Sequence, residues 1–236
     1  MKIDSIEAVA IGIPLKRNFG GSTYDVLRRC TVITRIATDE GPVSEVYNGD
    51  NRAHGGEIVR LIKEALAPRV RGFDVLEVER AWHAMFELSH TSSDRKTLLE
   101  AIACVDCALW DLAGKALGKS VCALLGGTHE RLPIISIGGY YMEGKTLADI
   151  GREMEQYREA GMAGCKFKVG GRAPEEDFKR VEAARKAAGS DFVLAVDANR
   201  GWDLQDATRF ARLAEPLDIR WFEEPCHWYD DAALMA

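Results

Sequence analysis

The feature that most constrains the fold is a repeat in the second half of the chain, in which short apolar runs alternate with helical patterns. The apolar runs end near residues 139, 168, 197 and 223, at intervals of 26 to 29 residues. One strand, one helix and their two connections occupy about 30 residues, which is the length of a βα unit. The spacing therefore predicts four consecutive βα units with parallel strands.

Two architectures use such a repeat, an open doubly wound sheet and a closed barrel of eight units. No Gly-x-Gly-x-x-Gly motif follows the first apolar run. Polar residues instead stand at the C-terminal end of one run after another, where barrels place their chemistry. The pattern favours about four βα units of a TIM-type (β/α) barrel. Because residues 230–236 start a fourth helix without a stop signal, we expect a partial, truncated barrel.

The first half of the chain has a different pattern. Its N-terminal stretch alternates β-branched residues around a turn signal, which predicts a short antiparallel meander. Three segments with helical spacing follow; the first should end at Pro68, and the third should run from Asp94 to Gly118. Strands followed by helices are typical of a separate α+β domain. We place this capping domain at 1–127 and the partial barrel at 128–236.

Composition and charge exclude several classes of function. The 31 Lys and Arg residues against 37 Asp and Glu give a formal charge of −6, so no net positive field attracts nucleic acid or anionic lipid. No apolar stretch reaches the roughly 20 residues of a membrane-spanning helix. Asp4 and Glu7 interrupt the N-terminus where a secretory signal needs an apolar run. We predict a cytoplasmic protein without nucleic-acid or membrane partners.

Two lysines end the second apolar run, in the sequence Cys-Lys-Phe-Lys-Val. Alternation along a strand places Lys166 and Lys168 on one face. Repulsion between two ammonium groups, together with burial, should lower the pKa of each and favour a general base near neutral pH. The alternative is a pair of solvated lysines on an edge strand, where such charges oppose aggregation.

The next two runs end in oxygen-bearing side chains. Asp197 and Asn199 follow Phe-Val-Leu-Ala-Val, and Glu223 follows Arg-Trp-Phe. Carboxylates at equivalent ends of neighbouring parallel strands can converge on a hard cation such as Mg²⁺. The alternative is that these residues are solvated or cap the following helices.

Together, Lys-x-Lys, Asp-x-Asn and Glu-Glu-Pro on three consecutive strands, with the stretch AIACVDCALWDLAGKALGKSVCALLGG at 101–127, resemble the enolase superfamily. Within it, the sequence resembles the mandelate racemase and muconate lactonizing enzyme family along the whole chain. The resemblance implies a capping domain over a (β/α) barrel, with Mg²⁺ stabilising the enediolate formed by removal of the proton α to a carboxylate. It assigns roles to five residues: the base Lys168, its tuning neighbour Lys166, the metal ligands Asp197 and Glu223, and Asn199 on the same wall.

The resemblance also implies that two segments of the capping domain close over the substrate and set its specificity. These segments are 18–24, with Phe19 and Tyr24, and 47–56; the alternative for both is an ordinary glycine-rich connection. His227 follows Glu-Glu-Pro-Cys near the same strand ends and is a further candidate for contact with the substrate.

The favoured function is a magnesium-dependent lyase that dehydrates a sugar acid or a related hydroxycarboxylate. Racemisation, epimerisation and cycloisomerisation share the same intermediate and stay open, because the family's third metal ligand and second acid/base residue would lie beyond residue 236. An inactive truncated fragment is a third alternative. Four strands alone leave two unpaired edges and an open apolar wall, so we also expect a homo-oligomer.

Overall fold

An antiparallel sheet forms from the β-branched residues near the N-terminus. Its strands are β1 (Ile3–Gly20), β2 (Asp25–Thr38) and β3 (Val43–Asn48), in that order across the sheet, with β2 and β3 antiparallel. This is the meander that the sequence predicts. The computed structural model describes residues 1–49, 54–129 and 131–235.

The chain divides into two units. The first comprises Met1–Leu15 and Arg28–Glu130, and the second comprises Lys16–Leu27 and Arg131–Ala236. The second unit thus includes the turn between β1 and β2 with the adjoining strand ends. The domain boundary at residue 127 stays a prediction.

Helices make up the rest of the first unit: α1 (Gly55–Leu61), α2 (Ala67–Val70), α3 (Val78–Phe86), α4 (Arg95–Leu117) and α5 (Val121–Leu124). A π-helical turn, Ile62–Leu66, joins α1 to α2, and a 3₁₀ turn, Glu87–His90, follows α3. The prediction that Pro68 ends the first helical segment is wrong. Pro68 lies in the first turn of α2, where its missing N–H needs no helical partner, and the chain stays helical to Val70.

The long helix α4 is the centre of the first unit's core. It begins and ends as predicted: the Asp94 side chain accepts a hydrogen bond from the Thr97 N–H at 3.0 Å, and Gly118 adopts a left-handed conformation with φ of 62°. Its buried residues include Leu98, Val105 and Leu109, which belong to one apolar cluster with residues of the sheet and of α1 to α3.

Four short parallel strands build the second unit: β4 (Ile135–Gly138), β5 (Gly164–Lys168), β6 (Val193–Asp197) and β7 (Phe222–Glu223). They are neighbours in chain order, β4-β5-β6-β7. The strands end within one residue of the positions predicted from the repeat. Because the sheet is parallel, the C-terminal ends of all four strands lie along one edge.

Helices follow each of these strands: α6 (Leu147–Glu159), α7 (Pro174–Ala188), α8 (Leu204–Ala214), which ends in a 3₁₀ turn at Glu215–Leu217, and α9 (Asp231–Met235). Buried residues of the strands and helices, among them Phe167, Val181, Val196 and Phe210, form a second apolar cluster. The predicted fold class, an α+β unit followed by parallel βα units, is confirmed. Within the described part of the chain, no helix combines the length and apolar character needed to cross a bilayer.

Candidate active site

The C-terminal ends of three neighbouring strands bring the predicted polar residues together. Lys168 pairs with Asp197 across the ladder between β5 and β6, and Asp197 pairs with Glu223 between β6 and β7. These three residues are the last of their strands, so their side chains lie side by side at one edge of the sheet.

Each lysine contacts a carboxylate. The Lys168 Nζ lies 2.7 Å from Asp197 Oδ2, and both side chains are almost fully buried. The Lys166 Nζ lies 3.1 Å from the same oxygen and 2.8 Å from Glu223 Oε1. The four groups therefore form one lysine–carboxylate cluster, and the alternative of solvated lysines on an edge strand is excluded.

Neighbouring charges shift the pKa values of two members of the cluster, Asp197 and Lys166. Burial disfavours the charged form of Asp197, but hydrogen bonds from Lys168, the Asn199 N–H and Lys166 outweigh burial and hold the pKa of Asp197 below its usual value. For Lys166, burial favours the neutral amine, but hydrogen bonds to Glu223 and Asp197 raise its pKa above the usual value. The predicted lowering of the Lys166 pKa is therefore wrong, because opposite charges outnumber the neighbouring ammonium.

Asn199 belongs to the same cluster, as predicted. Its Oδ1 accepts a hydrogen bond from Lys168 Nζ at 2.8 Å, and its N–H donates to Asp197 Oδ1 at 2.9 Å. Its backbone is left-handed, with φ of 45°, a conformation that asparagine tolerates better than most residues. This turn after β6 aims the amide oxygen back at Lys168.

Two tyrosine rings lie near the Lys168 ammonium. Tyr24, predicted as a substrate contact, has its ring centroid 5.6 Å from Lys168 Nζ, and the ring of Tyr140 lies 5.9 Å from the same atom. Phe19, the other aromatic residue predicted in this segment, packs on Tyr140 at 4.7 Å between ring centroids. The sequence analysis missed Tyr140, although it directly follows Gly138, the last residue of β4, and Gly139.

The turn between β1 and β2 holds Tyr24 in place. The Gly21 N–H donates to the Tyr24 carbonyl at 3.0 Å, which closes the turn. The Ser22 hydroxyl donates to the Ala198 carbonyl, and the Thr23 hydroxyl donates to the Asn199 carbonyl at 3.2 Å. The turn is thus hydrogen-bonded to the residues that follow β6. In the other predicted specificity segment, 47–56, residues 50–53 lie outside the described residues.

The described contacts of His227 are with its neighbours in the chain and not with the lysine–carboxylate cluster. The side chain is exposed, its ring faces Trp228 and Tyr229 at 5.2 Å, and its Nδ1 accepts the Tyr229 N–H at 3.2 Å. Its role in substrate contact stays a prediction.

A second set of residues that the sequence did not single out lies directly behind the strand ends. Asp177 and Arg180 of α7 are buried and form an ion pair of 2.5 Å, and the Tyr141 hydroxyl donates to Asp177. A signal was present: Asp177 lies four and seven residues before Val181 and Ala184, on the buried stripe of α7. A carboxylate at such a position indicates a buried partner.

The oxygen atoms of the cluster suit a hard cation. Asp197 and Glu223 already converge on one positive charge, the Lys166 ammonium. Mg²⁺ prefers such carboxylate oxygens and keeps several waters, so two protein carboxylates fit part of its coordination shell. Among the residues that the structure describes, no three His, Cys, Asp or Glu side chains are grouped to hold a metal ion.

Parallel βα units with a lysine–carboxylate cluster at the C-terminal ends of their strands are the arrangement found in (β/α) barrel enzymes, whose active sites lie at this edge. The chain belongs to the mandelate racemase/muconate lactonizing enzyme family of the enolase superfamily. The family's N-terminal domain model matches residues 8–126, and the enolase C-terminal domain-like model matches residues 149–236.

Curated relatives catalyse different reactions. Arabinonate dehydratase from Saccharolobus solfataricus is 35% identical over 82% of this chain and 52% of its own length. The 3,6-anhydro-alpha-L-galactonate cycloisomerase of Streptomyces coelicolor is 30% identical over 94% of this chain and 62% of its own length. An N-succinyl-L-Arg/Lys racemase from Bacillus cereus is 29% identical over 100% of this chain and 62% of its own length. The chain thus spans about half to two-thirds of the length of these relatives.

Solved structures share the fold. A mandelate racemase/muconate lactonizing enzyme structure is 43% identical, with a TM-score of 0.91 over 98% of this chain and 62% of that protein. Another, from a marine actinobacterium and in complex with magnesium, is 40% identical with a TM-score of 0.83 over 98% and 61%. The family therefore includes magnesium-bound members.

Proposed function

We propose that this protein catalyses the magnesium-dependent removal of the proton α to a carboxylate, and that its reaction is the dehydration of a sugar acid. The observation that carries the proposal is the cluster in which Lys168, Lys166, Asp197 and Glu223 meet at the ends of three neighbouring parallel strands. Such an arrangement combines a candidate base with two anionic groups that can hold a cation.

Asp197 and Glu223 are the residues that would hold Mg²⁺. A proton α to a carboxylate is too weakly acidic for a base alone, and bound Mg²⁺ supplies the positive charge that stabilises the enediolate. Enolase-type sites with a lysine or histidine base and one or two Mg²⁺ ions are a standing example of this chemistry.

Lys168 is the proposed base, and its surroundings fit that role. Asp197 and Asn199 fix the amine at 2.7 and 2.8 Å, so it cannot swing into solvent. The rings of Tyr24 and Tyr140 lie 5.6 and 5.9 Å from the same nitrogen, and Lys168 as a whole is only 4% exposed. Lys166 places a second positive charge beside Asp197. A base held in one position and shielded from water transfers protons efficiently to or from a bound acid.

The relatives support an acidic small molecule as the substrate. Dehydratases among them act, by their names, on arabinonate and on L-talarate or galactarate. In the proposed reaction the substrate gives its α-proton to Lys168, and the hydroxyl group on the β-carbon then takes up one proton and leaves as water. The resulting enol tautomerises to a 2-keto-3-deoxy acid, so the net reaction releases one water. The cycloisomerase and racemase relatives favour a second candidate, isomerisation through the same intermediate.

The test is exchange of the substrate α-proton for deuterium in D₂O, followed by NMR over a panel of sugar acids with Mg²⁺. We expect exchange with at least one acid, and formation of a 2-keto-3-deoxy acid identifies dehydration. Lys168→Ala should abolish exchange, whereas Lys186→Ala, an exposed lysine of α7, should leave it unchanged. Undiminished exchange in Lys168→Ala would remove Lys168 from the mechanism.

A further inference from the structure

A buried ion pair on α7 is hydrogen-bonded to the backbone around the candidate base, Lys168. We propose that Asp177 and Arg180 are positioning residues that fix the C-terminal ends of β4 and β5, and thereby keep Lys168 in register with Asp197. The catalytic part of this inference rests on the proposed role of Lys168.

Arg180 joins the ends of two strands. Its Nη1 donates to the Lys168 carbonyl at 3.1 Å, and its Nη2 donates to the Gly139 carbonyl just after β4. The guanidinium also lies over the rings of Tyr141 and Phe167, at 4.1 and 5.1 Å from the centroids. The planar group with its fixed donors therefore sets the spacing between β4 and β5.

Asp177 holds the loop that leaves β5. Its Oδ2 accepts the Gly170 N–H at 2.8 Å and the Arg172 N–H at 3.3 Å. The Tyr141 hydroxyl donates to Asp177 at 2.7 Å and accepts the Gly171 N–H at 2.9 Å. Three consecutive amides after Lys168 and Val169 are thus bound by one carboxylate and the tyrosine that it orients.

Stability alone is a weak explanation for this network. Burying two charges costs free energy that their attraction often only offsets, and apolar residues in their place are frequently as stable. The buried stripe of α7 continues with Val181 and Ala184, so an apolar residue would suit the position of Asp177. The pair instead provides directed hydrogen bonds to the backbone, which apolar packing cannot supply.

The same helix offers a matched control at the other end of the sheet. Arg185 also donates to backbone carbonyls, those of Leu217, Gly189 and Phe192 at 2.7 to 2.9 Å. These carbonyls precede β6 and β7, at the ends of the strands opposite the cluster. Arg180→Lys and Arg185→Lys therefore remove the same kind of group from opposite edges of one sheet.

The first test is hydrogen–deuterium exchange of the full chain followed by mass spectrometry, which needs no substrate. In Arg180→Lys we expect amide exchange in residues 168–172 to accelerate about tenfold or more, with residues 189–194 unchanged. Arg185→Lys should show the reverse pattern. Unchanged exchange at 168–172, or the same pattern in both variants, would overturn the proposal.

The second test separates positioning from folding. For a substrate identified by the deuterium assay, Arg180→Lys should lower kcat by about 10- to 100-fold, as small misplacements of reacting groups do, with KM within about twofold. Arg185→Lys should keep the wild-type kcat when the two variants are compared at equal distances below their melting temperatures. Equal losses of kcat in both variants would mean that the pair is merely structural.

Tyr141→Phe keeps the ion pair and loses one hydroxyl, so it covers the case in which Arg180→Lys does not fold. We expect faster exchange confined to the Gly171 region and a smaller fall in kcat; exchange as in wild type at Gly171 would contradict the proposal. If the wild-type protein exchanges the α-proton of none of the sugar acids, the proposed function fails. The amide-exchange measurement still decides whether the Asp177–Arg180 pair holds the strand ends.

Discussion

Asp197 governs the charge balance of the cluster. Its carboxylate is 1% exposed and contacts both lysines, of which Lys168 is only 4% exposed. A buried ammonium is tolerated only when an opposite charge or strong acceptors accompany it. Asp197 therefore serves two purposes, since it keeps the lysines in place and supplies a candidate metal ligand.

Asp197→Asn should both destabilise the protein and weaken cation binding. Removal of one partner of a buried ion pair costs about 3 kcal/mol or more, because the other charge is left uncompensated. Asp191→Asn, which breaks an exposed pair with Arg158, should cost far less stability, because solvent screens that pair. Urea unfolding of the two variants measures the difference, and equal losses would contradict a special role for Asp197.

The stability that Asp197 contributes should depend on pH with a definite sign. The folded pKa of Asp197 lies below the ordinary carboxyl value of 3.8, so its contribution to stability is fully present above that value. It is lost as the pH falls through the lower folded pKa. The difference in unfolding free energy between the wild type and Asp197→Asn should therefore be constant near neutral pH. It should become smaller in acid, as urea unfolding at several pH values would measure.

Single residues also mark the limit of what the sequence predicts. Lys166 and Lys168 are predicted because period-two alternation places them on one face of a strand, and Asp197 and Glu223 because they end neighbouring strands. Asn199 reaches the cluster differently, through a left-handed turn after β6. The direction of the Lys166 pKa shift was predicted wrongly, because the sequence shows two neighbouring ammoniums but not the distances to the carboxylates on other strands.

At the scale of elements, the turn between β1 and β2 is the part of the N-terminal sheet that belongs to the second unit. Gly21 has no room for a side chain. A Cβ there would lie 2.6 Å from the Tyr24 ring and 2.9 Å from Asn199 Oδ1. A side chain at position 21 would therefore force the side chains of Tyr24 and Asn199 to shift.

Gly21→Ala should lower the rate of α-proton exchange by about tenfold or more, because Tyr24 and Asn199 must both shift. Gly151→Ala is the matched control, since a Cβ at that position in α6 meets only Ala187 at 3.6 Å. The control should keep its activity and gain up to about 1 kcal/mol of stability, as alanine does over glycine within a helix. Wild-type exchange in Gly21→Ala would show that the turn can move without loss.

Helix ends illustrate why some elements were predictable and others were not. Asp94 and Gly118 bound α4 through local hydrogen bonds and a left-handed backbone, which depend on neighbouring residues alone. Pro68 did not end its segment, because a π-helical turn before it changes the hydrogen-bond pattern of the backbone.

At the scale of the whole molecule, the chain matches only part of the length of its relatives, so its activity stays a proposal. The chain spans 52% of the arabinonate dehydratase and 62% of the 43%-identical solved structure. The sugar-acid substrate, self-association and a cytoplasmic location all stay proposals or predictions. The alternative of an inactive chain also has a direct test.

Titration of the 236-residue chain with Mg²⁺ should reveal weak, millimolar rather than micromolar, binding, because two carboxylates supply only part of the coordination shell. Glu223→Gln should weaken it further, whereas Glu159→Gln, at the end of α6, should not. Calorimetry measures both. Tight binding would contradict an incomplete site, and no α-proton exchange at saturating Mg²⁺ would favour the inactive alternative.

The sequence by itself determined the order of the elements, the parallel sheet and the strand-end positions of the lysines and carboxylates. All of these follow from local periodicity, in which neighbouring residues dictate backbone and face. Tertiary structure alone decided that Lys166 bridges Asp197 and Glu223, that the Tyr140 ring lies near Lys168, and that Asp177 and Arg180 bind the strand ends. Those contacts join residues far apart in the chain, and their energies depend on distances and burial that only packing sets.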